Sequence, residues 1–261
     1  MEVVLLPSPE DCARVVADAV AGSVAAARAD GPVALGLATG SSPLLAYREL
    51  LARHRAGTFP TEGVTGYLLD EYVGLPAGHP ESYREVIRRE ITDELGITAH
   101  GPDGSAADPL RAALDYEARL RAAGPVAVQV LGIGANGHVG FNEPGSSLVS
   151  RTRVKTLTER TRTDNARFFG GDVEAVPRHV ITQGLGTIRD AQHLVLVATG
   201  GAKAAAVAEA VEGPLSASCP GSVLQLHPHV TVVVDEAAGS RLTRASYYRY
   251  VLAHKLAEQG W

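Results

Sequence analysis

Five runs of apolar residues, each emptying directly into a polar turn, constrain the fold of this chain more than any other feature. Residues 33–37 lead into Ala38-Thr39-Gly40-Ser41-Ser42-Pro43, and residues 64–69 deliver Asp70-Glu71. Residues 126–133 run into Gly134-Ala135-Asn136-Gly137-His138, residues 194–198 end in Thr199-Gly200-Gly201, and residues 230–234 end at Asp235-Glu236. Side chains alternate between the two faces of a strand, so a run that is apolar throughout is buried on both. Such strands belong to a parallel sheet covered by helices. Between them the apolar spacing lengthens to about 3.6 residues. Leu44, Leu45, Tyr47, Leu50 and Leu51 share one helical face through about His54, and residues 202–211 form an alanine-rich helix. The reading is one doubly wound, Rossmann-like α/β domain over residues 1–261, with a mostly parallel central sheet. Residues 101–108 read as a surface loop.

Composition narrows the partners. The formal net charge of −5 argues against nucleic acid, which calls for a basic face. A small anionic substrate stays compatible, because a local cluster of cations outweighs the global sign. Cys12 and Cys219 are far apart and lack metal-ligand spacing, so they read as two reduced thiols in a cytoplasmic protein. The opening MEVVLLPSPEDCARVV is too short for a membrane span and lacks a basic segment before a long apolar one.

In open parallel sheets ligands bind beyond the carboxyl ends of the strands, and every unusual polar cluster here sits at such an end. Thr39-Gly40-Ser41-Ser42 lies between a strand and a helix, where free N–H groups and the helix dipole meet an anion; a tight turn with a serine cap fits equally well. Lys203 falls in the first turn of its helix, unfavourable for a cation unless an anion sits beside it; an exposed lysine is the plainer alternative. Asp70, at the mouth of a buried strand, is placed to have a raised pKa and act as a base, or else to cap the next turn. Residues 132–144 gather glycines and polar groups around His138, with Glu143 near enough in sequence to orient it. Arg151, Arg153, Lys155, Arg160, Arg162 and Arg167 form a basic stretch. A solvated face is the ordinary outcome for such a run, but arginine also suits bidentate phosphate recognition. Dinucleotide, zinc and serine-nucleophile fingerprints do not fit the sequence.

TGSSP near residue 40, LDEYVGL at 69–75, HPESY at 79–83, LGIGANGHVGFNEPGSSLVSRTRVKTL at 131–157, DNARFF at 164–169 and LQLHP at 224–228 occur in this order. Together they closely resemble the glucosamine-6-phosphate deaminase family over about residues 3–250. The resemblance implies conversion of D-glucosamine 6-phosphate to D-fructose 6-phosphate and ammonia without metal or cofactor. It implies Asp70 as the base moving a proton from C2 to C1, His138 as the group opening the pyranose ring, and Glu143 as its partner. Asn136 takes an orienting part where some members carry aspartate. Thr39, Gly40, Ser41, Ser42, Arg167 and Lys203 would hold the phosphate; members show glycine and threonine where this chain has Ser41 and Ser42. Some members are hexamers activated by N-acetylglucosamine 6-phosphate, and others are monomers. Ser146, Arg153 and Lys155 match the effector positions and Tyr250 resembles a tyrosine near the C-terminus, so an activated homo-oligomer is expected.

Three other readings share parts of this pattern. A 6-phosphogluconolactonase would need the phosphate turns but no enolising base, and Asp70 with His138–Glu143 argues against it. A sugar-phosphate-sensing module would need a DNA-binding segment, for which 261 residues leave no room. An isomerase that does not deaminate would share the same proton transfer.

Overall fold

The five apolar runs form strands of one parallel sheet in the computed structural model, which describes residues 1–261 apart from the side chain of Ala257. In chain order the strands are β1 (Glu2–Leu6), β2 (Val33–Leu37), β3 (Val64–Leu68), β4 (Asp70–Tyr72), β5 (Ala99–His100), β6 (Val128–Leu131), β7 (Arg153–Thr156), β8 (His179–Thr182), β9 (Leu194–Ala198) and β10 (Val230–Asp235). Seven of them form the central sheet in the order β1-β10-β9-β6-β2-β3-β5, every pair parallel. The remaining three make a small antiparallel sheet, β4-β8-β7.

The strand side chains alternate between two cores. Val195 and Val197 of β9 join one, while Leu194, Leu196 and Ala198 join the other. On β10, Val233 belongs to the first and Val230, Val232 and Val234 to the second. This is the double burial that the apolar runs require.

The helices are α1 (Pro9–Ala27), α2 (Ser41–Arg55), α3 (Tyr83–Ile87), α4 (Asp93–Leu95), α5 (Pro109–Ala122), α6 (Glu159–Asn165), α7 (Leu185–Arg189), α8 (Ala204–Glu212) and α9 (Ala245–Ala253). A π turn, Arg88–Thr92, joins α3 to α4. The start of α1 follows directly from its sequence. Ser8 caps it by accepting from the Asp11 N–H, Pro9 opens the first turn, and Glu10 and Asp11 complement the dipole. Among the described residues no helix is long and apolar enough to cross a membrane.

Chain direction across the sheet reverses between β2 and β6. From β2 the chain moves outward to β3 and β5, then returns to place β6 on the other side of β2. The crevice at such a reversal is where open α/β sheets bind ligands. The segments that leave these two strands are 38–43 and 132–138. Tyr47, on α2, braces the first of them: its buried hydroxyl accepts from the Ala38 N–H at 2.9 Å and donates to the Ala38 carbonyl at 2.8 Å.

Several boundaries differ from the sequence expectation. The third run contributes only Val128–Leu131 to the sheet, since Gly132 already begins the turn. The alanine-rich helix starts at Ala204, after a 3-10 turn over Gly201–Lys203. Lys203 is thus the residue capping α8 and not part of its first turn. The antiparallel sheet was not expected at all. The chain turns out of the central sheet just after Leu69, and Asp70 opens the new strand opposite Thr182. Residues 101–108 form the expected loop.

Candidate active site

A cleft of about 1100 Å³ opens beyond the carboxyl ends of the central strands. It gathers Thr39, Gly40, Ser41, Ser42, Asp70, His138, Arg167 and Lys203 from separate parts of the chain. Asn136 and Glu143 stand behind His138, outside the lining.

The cationic end is built from two strand–turn–helix corners. Gly40 (φ +119°) precedes α2 and Gly200 (φ +86°) precedes the Gly201–Lys203 turn, in backbone conformations that L side chains rarely adopt. The Ser42 and Thr199 hydroxyls link the corners at 3.1 Å. Asp235, at the end of β10, accepts the Gly200 N–H with both oxygens at 3.0 Å and the Ala238 N–H at 2.7 Å, so this strand-end carboxylate fixes a turn. Lys203 is half-buried and has no ion-pair partner among the described residues. Burial and the neighbouring Arg167 push its pKa down, against a smaller pull from Asp164. Arg167 stacks its guanidinium over Phe168 at 4.7 Å. Two cations that repel one another, beside a helix N-terminus and hydroxyl groups, suit a dianionic phosphate.

Of the two adjacent carboxylates on β4, one is saturated and the other is bare. Glu71 accepts the N–H groups of Tyr72 and Tyr83 at 2.8 Å and of Arg84 at 2.9 Å, and so supplements the Ser82 cap of α3. The capping alternative weighed for Asp70 therefore describes its neighbour. Asp70 is only 5% exposed, faces the cleft and accepts no hydrogen bond among the described residues. Burial, and then the charge of Glu71, raise its pKa well above the usual carboxylate range. Gly140 (φ +55°) lets the loop pass close by; a Cβ there would stand 3.4 Å from Asp70 Oδ2 and 3.0 Å from Thr182 Oγ1.

The third element is the loop after β6. Gly134 donates its N–H to the His138 carbonyl at 2.8 Å, and a Cβ on Gly134 would collide with the His138 ring. His138 Nδ1 lies 3.6 Å from Glu143 Oε2, an ion-pair distance longer than a hydrogen bond. Glu143 is buried, which pushes its pKa up. His138, Thr161 and Asn136 outweigh that effect and bring it to about 2. Asn136 donates from Nδ2 to Glu143 Oε2 at 2.7 Å and accepts the His138 N–H at 3.3 Å. It braces the pair and stays out of the cleft.

The basic stretch divides. Arg151 pairs with Glu117 and Asp190, and Arg162 is buried against the Val173 and Val176 carbonyls. Only Arg160 and Arg167 reach the cleft. The expected effector residues lie elsewhere. Ser146 is buried with its hydroxyl unpartnered, and Arg153 donates to Asn142 Oδ1 at 2.9 Å. Lys155 lies two residues on along β7, and Tyr250 is 63% exposed on α9. Among the described residues no hydrogen bond joins these four. Arg160 and Thr199 belong to the basic stretch and the second turn named from the sequence, whereas Tyr72, Tyr83, Thr161 and Asn165 line the cleft with no task assigned to them from the sequence. Tyr72, Tyr83 and Asn165 sit in the motifs LDEYVGL, HPESY and DNARFF, whose order marked them without assigning a task. Among the described residues, no three His, Cys, Asp or Glu side chains come together as a metal site.

A parallel α/β sheet carrying a phosphate-suited corner opposite a buried carboxyl and a carboxylate-backed histidine defines an enzyme of small phosphorylated substrates. More narrowly, the chain belongs to the family of glucosamine-6-phosphate isomerases and 6-phosphogluconolactonases, whose model matches residues 7–233. It is 56% identical, over the whole of both chains, to a glucosamine-6-phosphate deaminase of Streptomyces coelicolor, and 53% identical over the same span to one of Mycolicibacterium smegmatis. A solved monomeric glucosamine-6-phosphate deaminase is similar with a TM-score of 0.85 at 36% identity, covering 92% of this chain and 100% of that one. A 6-phosphogluconolactonase from Trypanosoma brucei, at 18% identity and a TM-score of 0.73 over 93% of this chain and 98% of that one, shares the fold.

The bare carboxyl makes a test of stability. A raised folded-state pKa gives Asp70 a stabilising contribution that is full below the ordinary value of 3.8 and is lost as pH rises through the folded value. Asp70→Asn is therefore expected to stabilise the protein by about 1 kcal/mol or more at pH 7.5. The gain should vanish as pH falls below 3.8. Urea unfolding at the two pH values measures it, and an equal or lower stability of the variant at pH 7.5 would contradict the assignment.

Proposed function

We propose that this chain converts D-glucosamine 6-phosphate into D-fructose 6-phosphate and ammonia, with Asp70 as the base. The observation that carries the assignment is the bare, buried Asp70 carboxyl facing the same cleft as the Arg167–Lys203 pair. The phosphate binds at the 39–42 corner, Arg167 and Lys203, holding the sugar so that its reaction with Asp70 is effectively intramolecular. His138 moves a proton between the C1 hydroxyl and the ring oxygen, opening the pyranose. Glu143, kept anionic by its donors, orients the imidazole. The aldehyde so formed acidifies the C2 hydrogen. Asp70 takes that proton while O1 gains one, leaving an enolamine across C1 and C2, and returns it to C1 as the amino nitrogen gives one up. The resulting imine at C2 is hydrolysed by water, releasing ammonia and the ketose phosphate. A raised pKa suits Asp70 to this work, since a base is most effective with its pKa near working pH. A lactonase needs no such base, so Asp70 favours the deaminase over that second activity of the family.

Within this reading the chain works in the cytoplasm, in catabolism of N-acetylglucosamine and related amino sugars. The buried, free thiols of Cys12 and Cys219 suit that compartment. The direct assay incubates purified protein with glucosamine 6-phosphate and measures both products. Ammonia and fructose 6-phosphate should appear in equal amounts, and a folded sample that releases no ammonia above background would overturn the proposal.

The proposal extends to a homo-oligomer activated by N-acetylglucosamine 6-phosphate at Ser146, Arg153, Lys155 and Tyr250. The unpartnered Ser146 hydroxyl and the absence of a carboxylate partner for Arg153 among the described residues support this, whereas the similar solved enzyme is a monomer. Sedimentation should give an assembly larger than one chain, and the effector should lower the substrate concentration for half-maximal rate. A monomer with effector-independent kinetics would contradict it.

A further inference from the structure

We propose that Thr161 is a positioning residue for this reaction, tying the α6 segment that carries cleft-lining charges to the Glu143–His138 pair. The proposal rests on the deaminase reading given above.

The geometry starts from Glu143. One of its oxygens, Oε2, faces Asn136 Nδ2 at 2.7 Å and His138 Nδ1 at 3.6 Å. The other, Oε1, accepts the Thr161 hydroxyl, with the Thr158 hydroxyl more distant at 3.3 Å. The Thr158 and Thr161 hydroxyls are 2.9 Å apart. Each carries a single hydrogen. Thr161 uses its own on the carboxylate, which leaves its lone pairs to accept from Thr158. Thr158 also accepts the Thr161 N–H at 3.2 Å as the cap of α6. Thr161 and Glu143 are both buried, so their hydrogen bond is charge-assisted and shielded from water.

This contact does more than satisfy an acceptor. Asn136 on one oxygen and Thr161 on the other fix the plane of the carboxylate, and the approach of His138 Nδ1 depends on that plane. Asn136 belongs to the same loop as His138, whereas Thr161 arrives from a separate element. Arg160 and Asp164 line the cleft from α6, and Arg167 lines it from the turn that follows. Asn165, at the end of α6, donates to the Tyr72 hydroxyl at 2.9 Å. The segment is thus held at both ends, by Glu143 through Thr161 and by β4 through Asn165. A phosphate drawn against Arg167 acts on the element whose Thr161 sets Glu143, so engagement of the substrate anchor and orientation of the ring-opening pair are joined by one hydroxyl.

The test compares Thr161→Val, which keeps the shape and removes the hydroxyl, with Thr161→Ser, which keeps the hydroxyl. On glucosamine 6-phosphate, Thr161→Val should lower kcat about tenfold or more, the scale of one charge-assisted hydrogen bond. KM should stay within about twofold, because the hydroxyl hydrogen is committed to Glu143 and not to the phosphate anchor. Thr161→Ser should restore most of kcat. The deciding measurement is the cycle with Glu143→Gln. If Thr161 acts through Glu143, adding Thr161→Val to Glu143→Gln lowers kcat no further. A wild-type kcat in Thr161→Val, or a full multiplicative loss in the double variant, would overturn the role. Should the valine variant not fold, Thr161→Ala enters the same cycle with the same expected outcomes. Failure of the wild-type protein to release ammonia removes the reaction itself and the Thr161 role with it. An active wild type with an unaffected Thr161→Val removes only the latter.

Discussion

A carboxyl group taken out of water must replace its hydration with donors or cations, or keep its proton. Burial raises the pKa of both carboxyls at the start of β4, but only Glu71 has donors to offset it, and the arrangement of the cleft depends on the difference. Glu71 receives three backbone N–H groups, two of them from the first turn of α3, where it supplements the Ser82 cap. Asp70, one residue earlier and just as buried, receives none among the described residues and feels the charge of its neighbour. The antiparallel ladder with β8 holds it in place, and Gly140 leaves room beside it. Glu143 is the counter-case within the same site. Its donors are sufficient to outweigh burial, so it remains an anion where Asp70 is biased towards the neutral acid. Carboxyl groups with pKa values pushed apart in this way divide the labour of a site, one as a proton carrier and the other as a fixed charge.

At the opposite end of the cleft Arg167 and Lys203 stand without carboxylate partners among the described residues, in a protein whose net charge is −5. The global sign therefore says little about the ligand. Local geometry decides, because the corners after β2 and β9 bring hydroxyls, a helix N-terminus and Lys203 to the place that Arg167 reaches from the turn after α6. A phosphate anchored there limits where the rest of a sugar can lie, so that a single proton carrier is enough for chemistry at adjacent carbons.

Much of this was legible in the sequence, for a definite reason. Strands buried on both faces show themselves as apolar runs, and the turns that end them must carry glycine and polar groups if a ligand is to approach. The positions of Thr39, Gly40, Asp70, His138 and Lys203 followed from that rule alone. The small sheet did not, because β4 spans three residues and β7 reads Arg-Val-Lys-Thr, a pattern indistinguishable from a charged loop. Sequence could not choose which of Asp70 and Glu71 caps a helix, since that depends on where Tyr83 and Arg84 return in space. The resemblance already implied an orienting part for Asn136, which sits behind the cleft and donates to Glu143. Thr161 was hidden, because it contacts Glu143 from 18 residues away along the chain.

The central claim is that Asp70 carries the proton at C2, and solvent exchange at that carbon tests it most directly. Glucosamine 6-phosphate incubated in deuterated water with the wild-type protein should exchange its C2 hydrogen, followed by NMR. Asp70→Asn should still bind the substrate, with exchange slowed roughly 10²- to 10⁴-fold, the range expected for removal of a positioned base. A folded Asp70→Asn protein that exchanges C2 hydrogen near the wild-type rate would contradict the account.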